Sequence, residues 1–132
     1  MFVDEKTNPR ELSPLVLAYV GDAVYELYIR TKLAAYPGKM QKLHKMAVQY
    51  VQASSQAEIV HAWEPQLTEE ERDVVRRGRN AKGGISHRGD VVEYRYSTGM
   101  EALVGYLYLN GQMERLQELL STIDPTSEPQ GG

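Results

Sequence analysis

A glycine and an aspartate interrupt a very apolar helical stretch, Leu17-Ala18-Tyr19-Val20-Gly21-Asp22-Ala23-Val24. Glycine inside a helix costs about 0.5–1 kcal/mol relative to alanine, so Gly21 indicates that a neighbouring element approaches closely here. Asp22 has two interpretations. It belongs to a solvent-facing stripe with Glu26 and Arg30, at i, i+4 and i+8, or it is a functional carboxylate. Periodicity alone favours the solvent-facing stripe.

A second carboxylate, Glu101, lies between Gly99 and Gly105 in another apolar helical stretch. If this helix crosses the first one at Gly21, through either of its own glycines, Asp22 and Glu101 come together. Two adjacent carboxylates resist simultaneous ionisation unless a divalent cation holds them. Their hard oxygen atoms are typical ligands of Mg²⁺ or Mn²⁺ rather than of zinc.

Start and stop signals divide the whole chain into helices. Ser13-Pro14 is a helix start, Thr68-Glu69-Glu70-Glu71 is a capping box, and Asn110-Gly111 ends a helix that Asp90 could cap. The predicted helices are about 15–33, 40–50, 54–63, 69–77, 91–109 and 113–123. Since no segment shows the alternation of a strand, we predict an all-α domain over residues 1–124 and a disordered tail over 125–132.

Length and composition place the chain among soluble globular proteins. Its 132 residues suit a single domain, and the absence of cysteine excludes disulfides and thiolate zinc sites and suits a reducing compartment. The first residues lack the pattern of a secretory signal, and the apolar run 15–20 is too short to cross a bilayer. We therefore expect a cytoplasmic protein without membrane contact.

Positive charge is concentrated in one segment of an acidic chain. The formal net charge of -3 argues against a nucleic-acid binder as a whole, but between Arg72 and Arg88 the only acid is Asp73. Within this segment, residues 78–84 are predicted to form a glycine-rich basic loop. The loop is either a solvated connector or a phosphate-binding surface, and its charge favours the second. The candidate RNA-binding residues are Arg76, Arg77, Arg79, Asn80, Lys82 and Arg88.

Other common catalytic patterns are absent from the sequence. The histidines His44, His61 and His87 lack metal-ligand spacing, and there is no Gly-x-Ser-x-Gly nucleophile motif. Residues 78–86 lack the Gly-Lys-Ser/Thr ending of a phosphate-binding P-loop. The two carboxylates therefore remain the main candidates for chemistry.

Several segments of this sequence resemble the ribonuclease III family. Residues 19–26, Tyr-Val-Gly-Asp-Ala-Val-Tyr-Glu, resemble the family signature, and residues 100–109, Met-Glu-Ala-Leu-Val-Gly-Tyr-Leu-Tyr-Leu, resemble its second catalytic helix. Residues 77–82 (Arg-Gly-Arg-Asn-Ala-Lys) and 94–98 (Tyr-Arg-Tyr-Ser-Thr) are similar to the Mini-III branch of that family. The resemblance covers roughly residues 12–123. It favours a functional role for Asp22 and Glu101 over a purely structural role on the solvent-facing side of a helix.

The resemblance implies an all-α endonuclease domain that forms a homodimer with two active sites. Each site would cut one strand of an RNA duplex, leaving short 3′ overhangs, with Mg²⁺ as cofactor and Mn²⁺ as a substitute. Asp22 and Glu101 correspond to the catalytic, metal-binding carboxylates of the family. Members of this branch lack a separate domain for double-stranded RNA and are associated with maturation of large-subunit (23S) ribosomal RNA. The expected partners are therefore precursor ribosomal RNA and a ribosomal protein or assembling ribosomal subunit.

The sequence departs from the family pattern at two positions. Ala18 stands where the signature has a glutamate, four residues before Asp22, and Thr98 stands where longer relatives have an aspartate. Fewer protein ligands per metal imply more water around it. Two rival functions remain: a catalytically idle RNA-binding or ribosome-assembly module, which the presence of Asp22 and Glu101 argues against, and a helical partner-binding protein with no RNA role.

Overall fold

A computed structural model of the chain describes residues 2–81 and 91–127. Within these ranges the protein is helical throughout and contains no strand, which confirms the all-α prediction. The helices are α1 (Pro14–Ala34), α2 (Met40–Val51), α3 (Ala53–Trp63), α4 (Glu69–Asn80), α5 (Val91–Leu109) and α6 (Met113–Leu120), with short 3-10 turns at Pro9–Glu11 and Glu64–Gln66. Lys82, Arg88 and the cap Asp90 lie outside the described residues, as do residues 83–84 of the predicted loop.

Helix α5 is the centre of the fold. It packs against α1, α3 and α4, and Met100, Leu103, Val104 and Leu107 are fully buried. A helix that is surrounded on all sides needs apolar residues around its whole circumference, which explains why the sequence of α5 shows no polar face. The carboxylate of Glu101 is therefore held within the most enclosed element of the domain.

The capping box predicted at the start of α4 is confirmed. Thr68 Oγ1 accepts from the Glu71 amide at 3.1 Å, and the Glu71 carboxylate accepts from the Thr68 amide at 2.9 Å. Glu71 is buried and also accepts from Arg115 of α6 at 2.8 Å, and this contact holds the pKa of Glu71 below its usual range. The box thus fixes the start of α4 and ties it to α6.

The end of α4 differs from the prediction. The helix continues to Asn80, so Gly78, Arg79 and Asn80 are helical and do not begin a loop. Gly78 is needed for packing: a Cβ atom there would lie 2.9 Å from the Cα of Gly99 on α5. The glycine that indicated a helix end in the sequence therefore marks a close contact between two helices.

The last helix also ends earlier than predicted. Helix α6 stops at Leu120, and the chain continues through a turn in which the Ile123 amide donates to the Leu120 carbonyl at 2.9 Å. Of the predicted tail, residues 125–127 are described: Pro125 is buried, and the Thr126 amide donates to Asp124 at 2.9 Å. Residues 128–132 lie outside the described part. No helix that the structure describes is long and apolar enough to span a membrane.

Candidate active site

Helices α1 and α5 cross with their backbones in contact. A Cβ atom on Gly21 would lie 1.7 Å from the carbonyl oxygen of Glu101, and one on Gly105 would lie 1.9 Å from the carbonyl oxygen of Leu17. Any side chain at either glycine would force the helices apart. The crossing uses Gly105, one of the two glycines considered from the sequence. The other, Gly99, packs against α4 instead.

This crossing brings the side chains of Asp22 and Glu101 together. Burial is the main reason that the pKa of Glu101 rises to about 8, and a hydrogen bond with Asp22 and the negative charge of Asp22 raise it further. The charge of Glu26 adds a smaller effect in the same direction. Without a cation, Glu101 is therefore mostly protonated at neutral pH, while Asp22 beside it is exposed.

The pair has the donor chemistry of a magnesium site. Mg²⁺ is commonly bound through one or two carboxylates, with water or substrate phosphate completing its six ligands. Glu26, the next carboxylate on α1, is paired with Arg30 at 3.2 Å. In the part of the chain that the structure describes, no group of three acidic, histidine or cysteine side chains could hold a metal. The residues present thus fit a hydrated cation held by two carboxylates.

The two positions that depart from the family pattern do not contribute a ligand. Ala18 is buried on α1, and Thr98 is buried on α5 with its hydroxyl donating to the Tyr94 carbonyl at 3.1 Å. Neither supplies a carboxylate, so the chain offers fewer anionic ligands than the family pattern. The expectation of more water around a bound metal stays a prediction.

A third polar side chain, Gln56 of α3, approaches the Glu101 carboxyl from the core. Its Oε1 atom accepts a hydrogen bond from Ser97 of α5, while its amide nitrogen approaches Glu101 and acts to lower the pKa of that carboxyl. This residue was not among those predicted from the sequence. The signal was available, because Gln56 shares the buried face of α3 with Ala57, Val60 and Trp63.

Arg79, a predicted RNA contact, is anchored to a neighbouring tyrosine. Its guanidinium donates to the Tyr96 hydroxyl at 3.0 Å and lies 5.2 Å from the centre of the Tyr96 ring. The same ring contacts the imidazole of His61, with 4.2 Å between the centroids. Arg79 is therefore held on the surface in a defined position.

The other described candidates surround the last turns of α4. Arg76 is exposed and forms an ion pair with Asp73, whereas Arg77 donates to the Leu12 carbonyl at 3.5 Å. Asn80, the last residue of the helix, is exposed. These side chains point to different neighbours, so the structure does not gather them into one basic loop.

A second basic surface was not recognised from the sequence. Lys39, Lys42 and Lys45, spaced by three residues, are all exposed at and along α2. Residues 27–57 contain no aspartate or glutamate, and this absence was the available signal. The lysine face of α2 is thus free of nearby acids in sequence and is a candidate for binding a polyanion.

An apolar groove adjoins the carboxylate pair. It lies between α1 and α6, has a volume of about 780 Å³, and includes Asp22 and Glu26 in its lining. Three large side chains of its lining are more than half exposed, Phe2 at 89%, Tyr19 at 81% and Leu27 at 60%. The solvent-facing side of α1 is therefore apolar next to its carboxylates, which is unusual for a surface that remains in water.

Comparisons with known proteins match the region that contains both carboxylates. A family model described as the Ribonuclease III domain matches residues 15–112. The chain is 57% identical to Mini-ribonuclease 3 of Symbiobacterium thermophilum over 116 residues, which is 86% of this chain and 88% of that protein. It is 56% identical to Mini-ribonuclease 3 of a Thermoanaerobacter species over 117 residues, covering 87% and 82% of the two chains. A crystal structure of a protein from Fusobacterium nucleatum aligns with a TM-score of 0.79 at 30% identity, covering 86% of this chain and 92% of that one.

Proposed function

Because this chain belongs to the Mini-ribonuclease 3 branch of the ribonuclease III family and is an endoribonuclease, we propose that it cleaves double-stranded RNA with Mg²⁺ held by Asp22 and Glu101. The observation that supports this proposal most strongly is the contact between α1 and α5, where two glycines allow the carboxylates to meet. Mn²⁺, which prefers similar oxygen ligands, is expected to substitute.

The two carboxylates have different tasks in this proposal. Glu101 is fixed in the central helix and half-buried, so it defines the position of the site, whereas the exposed Asp22 lies on the side open to a large substrate. A bound Mg²⁺ would lower the pKa of a coordinated water and stabilise the negative charge on the leaving 3′ oxygen. In this proposal Glu101 binds the cation as a carboxylate, without the proton that its raised pKa favours in the metal-free protein.

The substrate we propose is a duplex region of precursor large-subunit (23S) ribosomal RNA. Binding of a duplex needs basic groups that contact its phosphates, and we expect the lysine face of α2 and the end of α4 to supply them. The assignment to ribosomal RNA, to the cytoplasm and to ribosomal partners rests on the family resemblance.

We also propose that the apolar groove beside α1 is covered by a second copy of this chain. An isologous contact would bury the same exposed Tyr19 and Leu27 of both protomers. Because Asp22 lines the groove, each active site would then lie beside the interface, which suits cleavage of both strands of one duplex.

A cleavage assay on matched nucleic acids tests the proposed function. A long RNA duplex, its single strands and a DNA duplex of the same sequence are incubated with the protein in Mg²⁺, Mn²⁺, Ca²⁺ or chelator. We expect cleavage of the RNA duplex alone, with Mg²⁺ or Mn²⁺, and binding with little turnover in Ca²⁺, whose looser geometry positions water poorly. Duplex binding without any cleavage would instead favour the catalytically idle RNA-binding module. Cleavage in the presence of chelator would contradict the proposed dependence on a metal ion.

A further inference from the structure

Gln56 carries an unsatisfied polar group in the core. The side chain is 2% exposed, and its Nε2 atom is the only fully buried side-chain nitrogen or oxygen without a hydrogen-bond partner among residues 2–81 and 91–127. Leaving an amide N–H buried without an acceptor destabilises a protein, so such a group calls for an explanation. A leucine of similar size would fill the same space without this penalty.

The neighbours of Gln56 fix the direction of this amide. The hydroxyl of Ser97 donates to Oε1, which turns Nε2 away from Ser97. Ser97 and Glu101 are four residues apart on α5 and therefore share one face of that helix. The amide nitrogen consequently approaches the Glu101 carboxyl, where it opposes the effect of burial on the pKa of that group.

We propose that Gln56 is a positioning residue that donates to the Glu101 carboxylate when a divalent cation occupies the site. This inference rests on the proposed function. A cation held by Asp22 and Glu101 needs the Glu101 carboxylate as a half-buried anion, and a hydrogen-bond donor beside it would fix its orientation. Gln56, with its buried and unpartnered Nε2 atom, is the polar group that the core supplies. A neutral amide meets this need without competing electrostatically with the cation, as lysine or arginine would.

This arrangement would offset part of what the chain lacks at Ala18 and Thr98. With two carboxylates only, the metal depends strongly on the orientation of each, and Gln56 would restrict the rotation of the more buried one. Groups that orient metal ligands typically contribute about 10–100-fold to metal affinity or activity. We expect a value near the lower end, because Gln56 is uncharged.

The test measures the binding of Mn²⁺ to the RNA-free protein, using the relaxation of water protons as the signal. The variants are Gln56→Met, which keeps the length of the side chain but removes the donor, and Gln49→Met, the same change at an exposed position of α2. Asp22→Asn defines binding without the proposed site. We expect Gln56→Met to bind Mn²⁺ about tenfold more weakly than wild type, Gln49→Met to match wild type, and Asp22→Asn to bind least.

Two further readouts distinguish positioning from a purely structural role. The melting temperature of metal-free Gln56→Met should stay close to that of wild type, because the unsatisfied amide N–H and the hydrogen bond from Ser97 are removed together. The Mg²⁺ concentration for half-maximal cleavage should rise by the same factor as the Mn²⁺ dissociation constant, while the rate at saturating Mg²⁺ stays close to wild type. Ser97→Ala, which leaves Gln56 in place but frees its amide to rotate, should weaken Mn²⁺ binding less than Gln56→Met does.

The outcomes separate this inference from the proposed function. If Gln56→Met binds Mn²⁺ as tightly as wild type while Asp22→Asn does not, Gln56 has no positioning role and the metal site stands. If wild type and Asp22→Asn bind Mn²⁺ equally, the proposed metal site is wrong and the inference falls with it. If Gln56→Met does not fold, Gln56 is structural, and unchanged affinity in Ser97→Ala would likewise overturn the positioning role.

Discussion

Gly21 and Glu101 contact each other through the backbone, since a Cβ atom on Gly21 would lie 1.7 Å from the carbonyl oxygen of Glu101. The reciprocal contact, between Gly105 and the carbonyl of Leu17, makes the approach of α1 and α5 equally close on the other side of the crossing. The position of Asp22 beside Glu101 thus depends on two missing side chains. This relationship gives the first prediction.

Replacing Gly21 with alanine should destabilise the protein. Helix propensity alone predicts a gain of about 1 kcal/mol, but the added methyl group would collide with backbone atoms that cannot rotate away. We expect a loss of about 3 kcal/mol in the free energy of unfolding, measured in urea. Gly38→Ala is the control, because a Cβ atom there has ordinary contacts from 3.7 Å. Equal stability of the two variants would contradict the close crossing.

Removing the charge of Glu101 should stabilise the metal-free protein at high pH. The pKa of Glu101 is raised from 4.5 to about 8 in the folded state, so wild type loses stability as pH rises through this range and unfolding releases a proton. Glu101→Gln lacks this loss. Chelator-treated Glu101→Gln should match wild type near pH 4 and exceed it above pH 8 by up to about 4 kcal/mol.

Mn²⁺ provides the control for this pH dependence. It should stabilise wild type at pH 8 and leave Glu101→Gln nearly unchanged, because binding to the folded state alone raises stability. If the unfolding free energies of wild type and Glu101→Gln differ by the same amount at pH 4 and pH 8, the pKa of Glu101 is not raised in the folded protein.

A charge in the apolar groove should prevent dimer formation. We expect wild type to sediment as a dimer at micromolar concentration and Leu27→Arg to sediment as a monomer, because the arginine would be buried without a partner. Met40→Arg places the same charge on α2, where Met40 is 72% exposed, and should remain dimeric. A monomeric wild type that still cuts both strands of a duplex would exclude the proposed interface.

Neutralising basic residues should weaken RNA binding in a salt-dependent way. In duplex affinity measured across a salt series, Lys42→Ala/Lys45→Ala and Arg79→Ala/Lys82→Ala should each reduce the log–log slope by about one unit per lost phosphate contact. Cleavage at saturating RNA should fall less, because neither pair includes a proposed metal ligand. Lys6→Ala, which removes an exposed lysine that belongs to neither basic surface, is the control. If a double variant has the same log–log salt slope as wild type, the two basic residues that it lacks do not contact RNA.

The sequence was sufficient for most of the fold because its signals are local. The capping box at Thr68 and the glycines beside two isolated carboxylates each depend on a few neighbouring residues, and the structure agrees with them. The predicted end of α4 was wrong because Gly78 allows a close contact with α5, which is distant in sequence. The position of Gln56 on the apolar face of α3 was visible in the sequence, but its role was not, since its partners lie on α5 and only the fold brings them together.

The most direct test of the whole proposal is single-turnover cleavage of a long RNA duplex by Asp22→Asn in saturating Mg²⁺. Asn keeps the shape of the side chain and removes the charge, so we expect a normal melting temperature and a rate reduced by more than roughly a hundredfold, beyond the effect of residues that only orient a metal ligand. Glu58→Gln, which likewise replaces a carboxylate by its amide but at an exposed position of α3, should cleave like wild type. Cleavage by folded Asp22→Asn at close to the wild-type rate would contradict the account.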